Sequence, residues 1–300
     1  MHKIKNKVLV IKDFTTVLQM RAENRAEIFG VLRDVHDGSF IKEFGTGQPV
    51  VWEGKIGLIA AVTPEIERYT ALNQVLGERF IYYRMVMNGT HKIALKSYDN
   101  TMTGDDDDRT RGGVQEAVSY LLSLFDGVEL EKDKYASDDM RYKIATLSDF
   151  CAMCRTPVVR DHRDRDLVDI LPEQEGPARV TKQLTLLAIS LATIRGLYGV
   201  DEGIYRVLCK VVMDMLPSRR SRLIRLLVEL RVENVEQYYS VEVISVKAGV
   251  NSHTCRFDLE DLFMLGLVDK KPTFINNKVI YQASDRLLIA SVESEIFQFE

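Results

Sequence analysis

The chain has 300 residues, room for two or three domains. Its 46% apolar and 28% charged content exclude a disordered or low-complexity chain. A formal net charge of −4 excludes a polycation, so any nucleic-acid contact has to come from a local patch.

No apolar run reaches the ~18 residues of a membrane span. The nearest approach, Leu184 to Ile194, is bracketed by Lys182 and Arg195. The basic start, Met1 to Lys7, leads into an apolar run that is too short for a secretory leader and stops at Lys12-Asp13. The four cysteines (Cys151, Cys154, Cys209, Cys255) include one C-x-x-C with no second pair, which reads as reduced structural thiols rather than zinc ligands. A cytoplasmic location without membrane association is expected.

The first element is the strand VLVI, Val8 to Ile11, an unbroken apolar run suited to cover on both faces. A helix follows, with Ile28, Val31, Leu32 and Val35 at helical spacing and Gly38 as its terminator. Phe40 to Trp52 reads as a β-hairpin about Gly45-Thr46-Gly47, with Trp52 as a packing residue. A second buried strand runs from Ile56 to Val62 and stops at Thr63-Pro64. A short helix and a Gly-Glu-Arg turn lead to a third strand from Phe80. Residues 88–112 are polar and rich in turn formers, so a loop is expected, with Asp105 to Asp108 solvated and capping the next helix. Helical spacing then governs four segments between Gly113 and Leu216.

Beyond Pro217 a basic amphipathic helix opens a winged helix-turn-helix pattern. It comprises a helix, a turn at Gly249, a second helix capped by Asn251 or Ser252, and a wing hairpin about Asn276-Asn277. Cys255, Leu259 and Leu262 turn one face of the second helix inward. Ser252, His253 and Arg256 stand outward near its N-terminus, where such helices meet base edges. Arg219, Arg220, Arg222 and Arg225, with Lys270, Lys271 and Lys278 of the wing, are candidates for phosphate contact. Asp258, Glu260 and Asp261 on the same helix oppose that reading by repelling phosphate.

The order of these elements resembles the C-terminal half of an AAA+ ATPase of the hairpin-bearing branch. The minichromosome maintenance helicases and the ATPases of phages and mobile elements are similar. The resemblance covers roughly Val8 to Pro217 and rests on the order of five motifs, none specific alone. It implies a fold that is α/β and then mainly α: a partial P-loop-type core (1–87), a loop (88–112), a helical lid (113–217), a winged helix (218–284) and a tail (285–300). It implies that Asp13 orders magnesium or polarises water, that Thr63 is the sensor at the γ-phosphate, and that Arg79 is an arginine finger reaching a neighbouring subunit. Arg179 or Lys182 would be the second sensor of the lid. The hairpin, with Lys42, Gly45, Thr46 and Gly47, would be a DNA-contacting pore loop.

The sequence departs from that pattern in three places. Lys12-Asp13 supplies one carboxylate where the family has two, and the hairpin tip carries no basic residue. The phosphate-cradling G-x-x-x-x-G-K-[ST] is absent. The resemblance therefore implies that this loop precedes Met1 or belongs to a separately encoded half. ATP and Mg2+ would bind only once that half is supplied. The expected activity is a DNA-dependent, ring-forming motor, inactive as this chain alone. Two rival readings are a non-enzymatic winged-helix DNA-binding regulator with a vestigial ATPase segment, and an assembly module.

Overall fold

The computed structural model describes residues 5–43, 49–69, 79–103, 107–129, 136–161, 168–273 and 278–298, and every statement below concerns these. They form a mixed α/β structure dominated by helices, with small sheets.

In the front unit, β1 (Lys7–Ile11) pairs in parallel with β4 (Ile56–Ala60), Lys7 opposite Ile56 and Ile11 opposite Ala60. Between them run α1 (Thr15–Leu18), α2 (Ala22–Asp37) and a hairpin of β2 (Ser39–Glu43) and β3 (Pro49–Glu53). Apart from α1, these are the elements the sequence predicts there. Gly38 ends α2 at φ 101°, where its N–H donates to the carbonyls of Asp34 and Val35, a conformation other residues rarely adopt. The helix is held by its apolar stripe. Phe29 stacks on Phe14 at 6.0 Å, while Val35 meets Phe40 and the buried Trp52.

Three expectations are corrected here. The strands predicted to be covered on both faces are covered on one only, and there in part: Val8 (58%) and Val10 (59%) are exposed on one face, while on the other Ile11, Ile56 and Ala60 pack against the small clusters about Phe14 and Trp52 and Leu9 stays 41% exposed. No strand starts at Phe80. The stretch 79–89 is irregular, and its backbone bonds go to side chains instead: Arg84 N–H donates to Asp214 at 2.7 Å, and its carbonyl accepts from Lys210 at 3.0 Å. The segment expected to be a loop holds α3 (Thr90–Thr103) and the first turns of α4 (Asp107–Ser123). Polar, turn-forming composition misled there; both helices leave apolar side chains such as Ile93, Leu95, Val118 and Leu121 exposed.

The rear unit is built on α5 (Asp138–Arg155), α6 (Ala178–Ile194) and α7 (Glu202–Met215). A short antiparallel pair, β5 (Val159–Arg160) and β6 (Val168–Ile170), joins α5 to α6; the sequence did not announce it. Then come α8 (Ser218–Glu233), β7 (Tyr239–Ser240), α9 (Val241–Ala248), α10 (Ser252–Met264), β8 (Val268–Pro272), β9 (Val279–Ala283) and α11 (Asp285–Glu293). Side-chain caps open five of these helices: Ser137, Asp201, Ser240, Asn251 and Ser284 each accept a backbone N–H of the first turn.

One apolar core runs from Met140 to Ile296 without a break at Pro217. The segment expected to be a tail belongs to it. Phe297 packs edge-on against Phe150 at 6.2 Å, and Tyr205 donates its hydroxyl to the Ser294 carbonyl at 2.6 Å. The front unit is tied on through Arg84, whose guanidinium donates to Glu67 at 2.6 Å and to the Leu216 carbonyl at 2.9 Å.

The contrast between core and bare helices is measurable. Leu147→Ala on α5 (0% exposed) is expected to cost about 2–5 kcal/mol in denaturant unfolding, while Leu122→Ala on α4 (65% exposed) stays within about 0.5 kcal/mol. Similar losses at the two positions would contradict this packing.

Candidate nucleic-acid interface

The C-terminal unit is assembled around α8. Strands β7, β9 and β8 form an antiparallel sheet in that order, Tyr239 opposite Tyr281 and Val268 opposite Ala283. Against it pack α9 and α10, joined at Gly249 (φ 63°), the turn the sequence predicts. Ile244, Cys255, Leu259 and Leu262 are fully buried between them, so the inward face of α10 is the predicted one. Asn251 is the cap: its side chain accepts the His253 N–H at 2.9 Å. Ser252 instead shares a hydrogen bond with Ser245 at 2.9 Å.

The predicted cations divide into two groups. The first works inside the chain. Arg219 pairs with Asp258 at 3.1 Å, and Lys270 with Glu260 at 2.6 Å. Arg220 donates to the Cys154 and Thr156 carbonyls at 3.1 and 2.6 Å, closing the end of α5. Arg225 lies over the Phe297 ring at 5.8 Å. The second group faces water. Arg222 is exposed while donating to the Ala248 carbonyl, His253 is exposed at the start of α10, and Lys271 and Lys278 flank the wing. Arg256 is half-buried over the Phe257 ring at 4.4 Å.

The acidic residues that opposed a nucleic-acid reading are neutralised in place. Asp258 meets Arg219, and Asp261 meets Arg160 of β5 at 2.6 Å. Burial pushes the Asp261 carboxyl above its ordinary value, although Arg160 pulls it down. Glu260 accepts from Lys270 and from the Tyr281 hydroxyl, both at 2.6 Å; burial opposes its ionisation, but these bonds win and hold it below the usual range. Glu260 thereby fixes the wing to α10. Arg160 was missed by sequence reasoning. It sits in a stretch with no periodicity, and no local signal points to it.

In the front unit the tips of β1 and β4 meet. The Asp13 carboxylate accepts the Thr15 N–H at 3.0 Å, and the Thr63 N–H donates to the Thr15 hydroxyl at 3.2 Å. Asp13 is exposed and lies one residue before Phe14, the cap position of α1, which has no side-chain cap of its own. Among the described residues no three His, Cys, Asp or Glu side chains gather where a metal ion would fit. Arg79 lies elsewhere, against Asp37 at the far end of α2, a helix about 24 Å long. It holds Asp37 in a two-point ion pair at 2.7 and 3.2 Å, and that hydrogen bonding draws the carboxyl below its usual range. The Arg79 carbonyl accepts from Gln183 of α6 at 2.9 Å, so the structure brings α6 to Arg79 rather than to Asp13. On α6, Arg179 pairs with Glu175 at 3.2 Å and Lys182 is exposed. Of the hairpin, Lys42 lies in β2 opposite Val50; Gly45, Thr46 and Gly47 lie outside the described residues.

No family model matches the chain, and comparison with curated protein sequences returns no relative.

Glu242, at the start of α9, gives this surface a pH signature. Hydrogen bonds from Ser240 and from its own backbone, then from Lys278, pull its carboxyl from 4.5 to about 2. A depressed folded-state value means the stabilisation is complete above pH 4.5 and lost as pH falls toward 2. Carboxyl NMR titration is expected to show this low midpoint, and Lys278→Ala to raise it part of the way back. An unshifted Glu242 would remove the pairing.

Proposed function

We propose that residues 218–284 form a winged-helix unit that holds DNA, and that this is the main activity of the chain. One observation carries the reading. A helix, a short strand and two helices joined by a tight turn pack with a hairpin whose sheet has the order β7–β9–β8, with the half-buried Arg256 on the second helix and exposed Lys271 and Lys278 on the hairpin. That is the arrangement in which a helix enters a groove while the wing meets phosphates. The neutralised acids of α10 remove the electrostatic objection to it. In fluorescence anisotropy with a labelled duplex, Arg256→Glu combined with Lys271→Glu is expected to weaken binding by about tenfold or more at low salt and to flatten the salt dependence. Circular dichroism would show an intact fold. Unchanged affinity with the fold intact would end the proposal.

A second reading attaches to the front unit. A parallel strand pair left bare on the Val8–Val10 face, with Asp13 and Thr63 linked at one end through Thr15, suits the second half of an AAA+ core. Its sheet would be completed by strands from another polypeptide segment, and the whole would be a DNA-dependent motor that forms a ring of like subunits. The Arg79 guanidinium would then have to leave Asp37 to act on a neighbour's nucleotide. On this reading the 300-residue chain shows no ATP turnover by itself. Turnover that disappears in Asp13→Asn would overturn the need for a second half.

A further inference from the structure

We infer that the C-terminal unit holds duplex DNA by its phosphates and does not read base sequence. The inference rests on the DNA-binding reading above and specifies its substrate class.

Direct readout needs side chains on the outward face of the helix, free to reach base edges. On α10 the face opposite Cys255 and Leu259 is the line His253, Phe257, Asp261, each one turn from the next. Phe257 and Asp261 of this line are engaged within the chain, and His253, though exposed, rests edge-on against Phe257. Phe257, at its centre, is only 4% exposed. Its ring lies beneath the Arg160 guanidinium at 5.3 Å and the Arg256 guanidinium at 4.4 Å, with the His253 ring edge-on at 5.0 Å. Asp261 is ion-paired with Arg160, both side chains less than one-fifth exposed. On the flanks, Asp258 is held by Arg219 and Glu260 by Lys270 and Tyr281. Arg160 comes from β5, in the link between α5 and α6, and that link shares the core of the bundle through Val158. Lifting it would strand a partly buried carboxylate without its cation.

Around the rim stand exposed cations, Arg222, Lys247, Lys271 and Lys278, of which Lys278 is held by a surface pair with Glu242 at 3.0 Å and Lys271 lies over the Tyr238 ring. Their chemistry is that of phosphate contact, which is attractive to any duplex and carries no sequence information.

The test uses the full chain and a randomised duplex pool. Selection for binding is expected to return no consensus. Individual duplexes of equal length and different composition should bind within about threefold of one another, with a common salt slope that Lys278→Ala lowers by about 1 for all of them. A recovered consensus bound more than about tenfold tighter than the pool would overturn the inference while leaving DNA binding intact. Failure to bind any duplex at low salt would remove both.

Discussion

The rear two-thirds of this molecule depends on the burial of the C-terminal end of α5. Residues 150–155 are buried on every side, and Leu147, Phe150, Cys151, Ala152 and Cys154 have no exposed surface, while Arg141, Tyr142, Ala145 and Asp149 keep the earlier turns open to water on one side. A helix end apolar on all sides must be surrounded. Here α6 and α7 come from one side in the chain and α11 from its far end. The polar groups that α5 carries inward are satisfied locally: the Ser148 and Thr156 hydroxyls donate to carbonyls one turn back, and Arg155 meets Glu175. Bundle and C-terminal unit are therefore not two bodies joined by a linker. They share the helix at the centre.

Local signals in the sequence were read well where a single element decides the outcome. Gly38 and Gly249 end helices with positive φ, Asn251 caps α10, and Cys255, Leu259 and Leu262 face inward because spacing alone dictates it. What could not be read is pairing across distance. The acids of α10 looked repulsive because their partners are remote: Arg160 is 101 residues from Asp261, and Arg219 lies on another helix. Arg79 looked free for the same reason, since Asp37 is 42 residues earlier. The strand expected at Phe80 failed because an apolar run states hydrophobicity but not the source of its hydrogen bonds. Here α7 supplies them through Asp214 and Lys210. The resemblance to an ATPase half concerns element order, and the order of β1, α2, the hairpin and β4 holds.

The front unit is physically unfinished among the described residues. Two parallel strands bare on one face and half-covered on the other cannot bury enough apolar area to be self-sufficient. Its two small clusters, about Phe14 and about Trp52, are satellites beside the main core. Exposed apolar residues continue along α3 and α4, with Met102 and Tyr120 among them. Patches of this kind are unusual on a lone soluble surface and are commonly sites of association.

The attachment through Arg84 has a mechanical meaning. Its guanidinium spans Glu67 in the front unit and the Leu216 carbonyl just past the end of α7, while its backbone is held by Asp214 and Lys210 on α7. Glu67 in turn accepts the Ser218 N–H at the start of α8. The corner between α7 and α8 is thus a pivot gripped from the front. The front unit and the start of α8 are thereby fastened to one and the same corner.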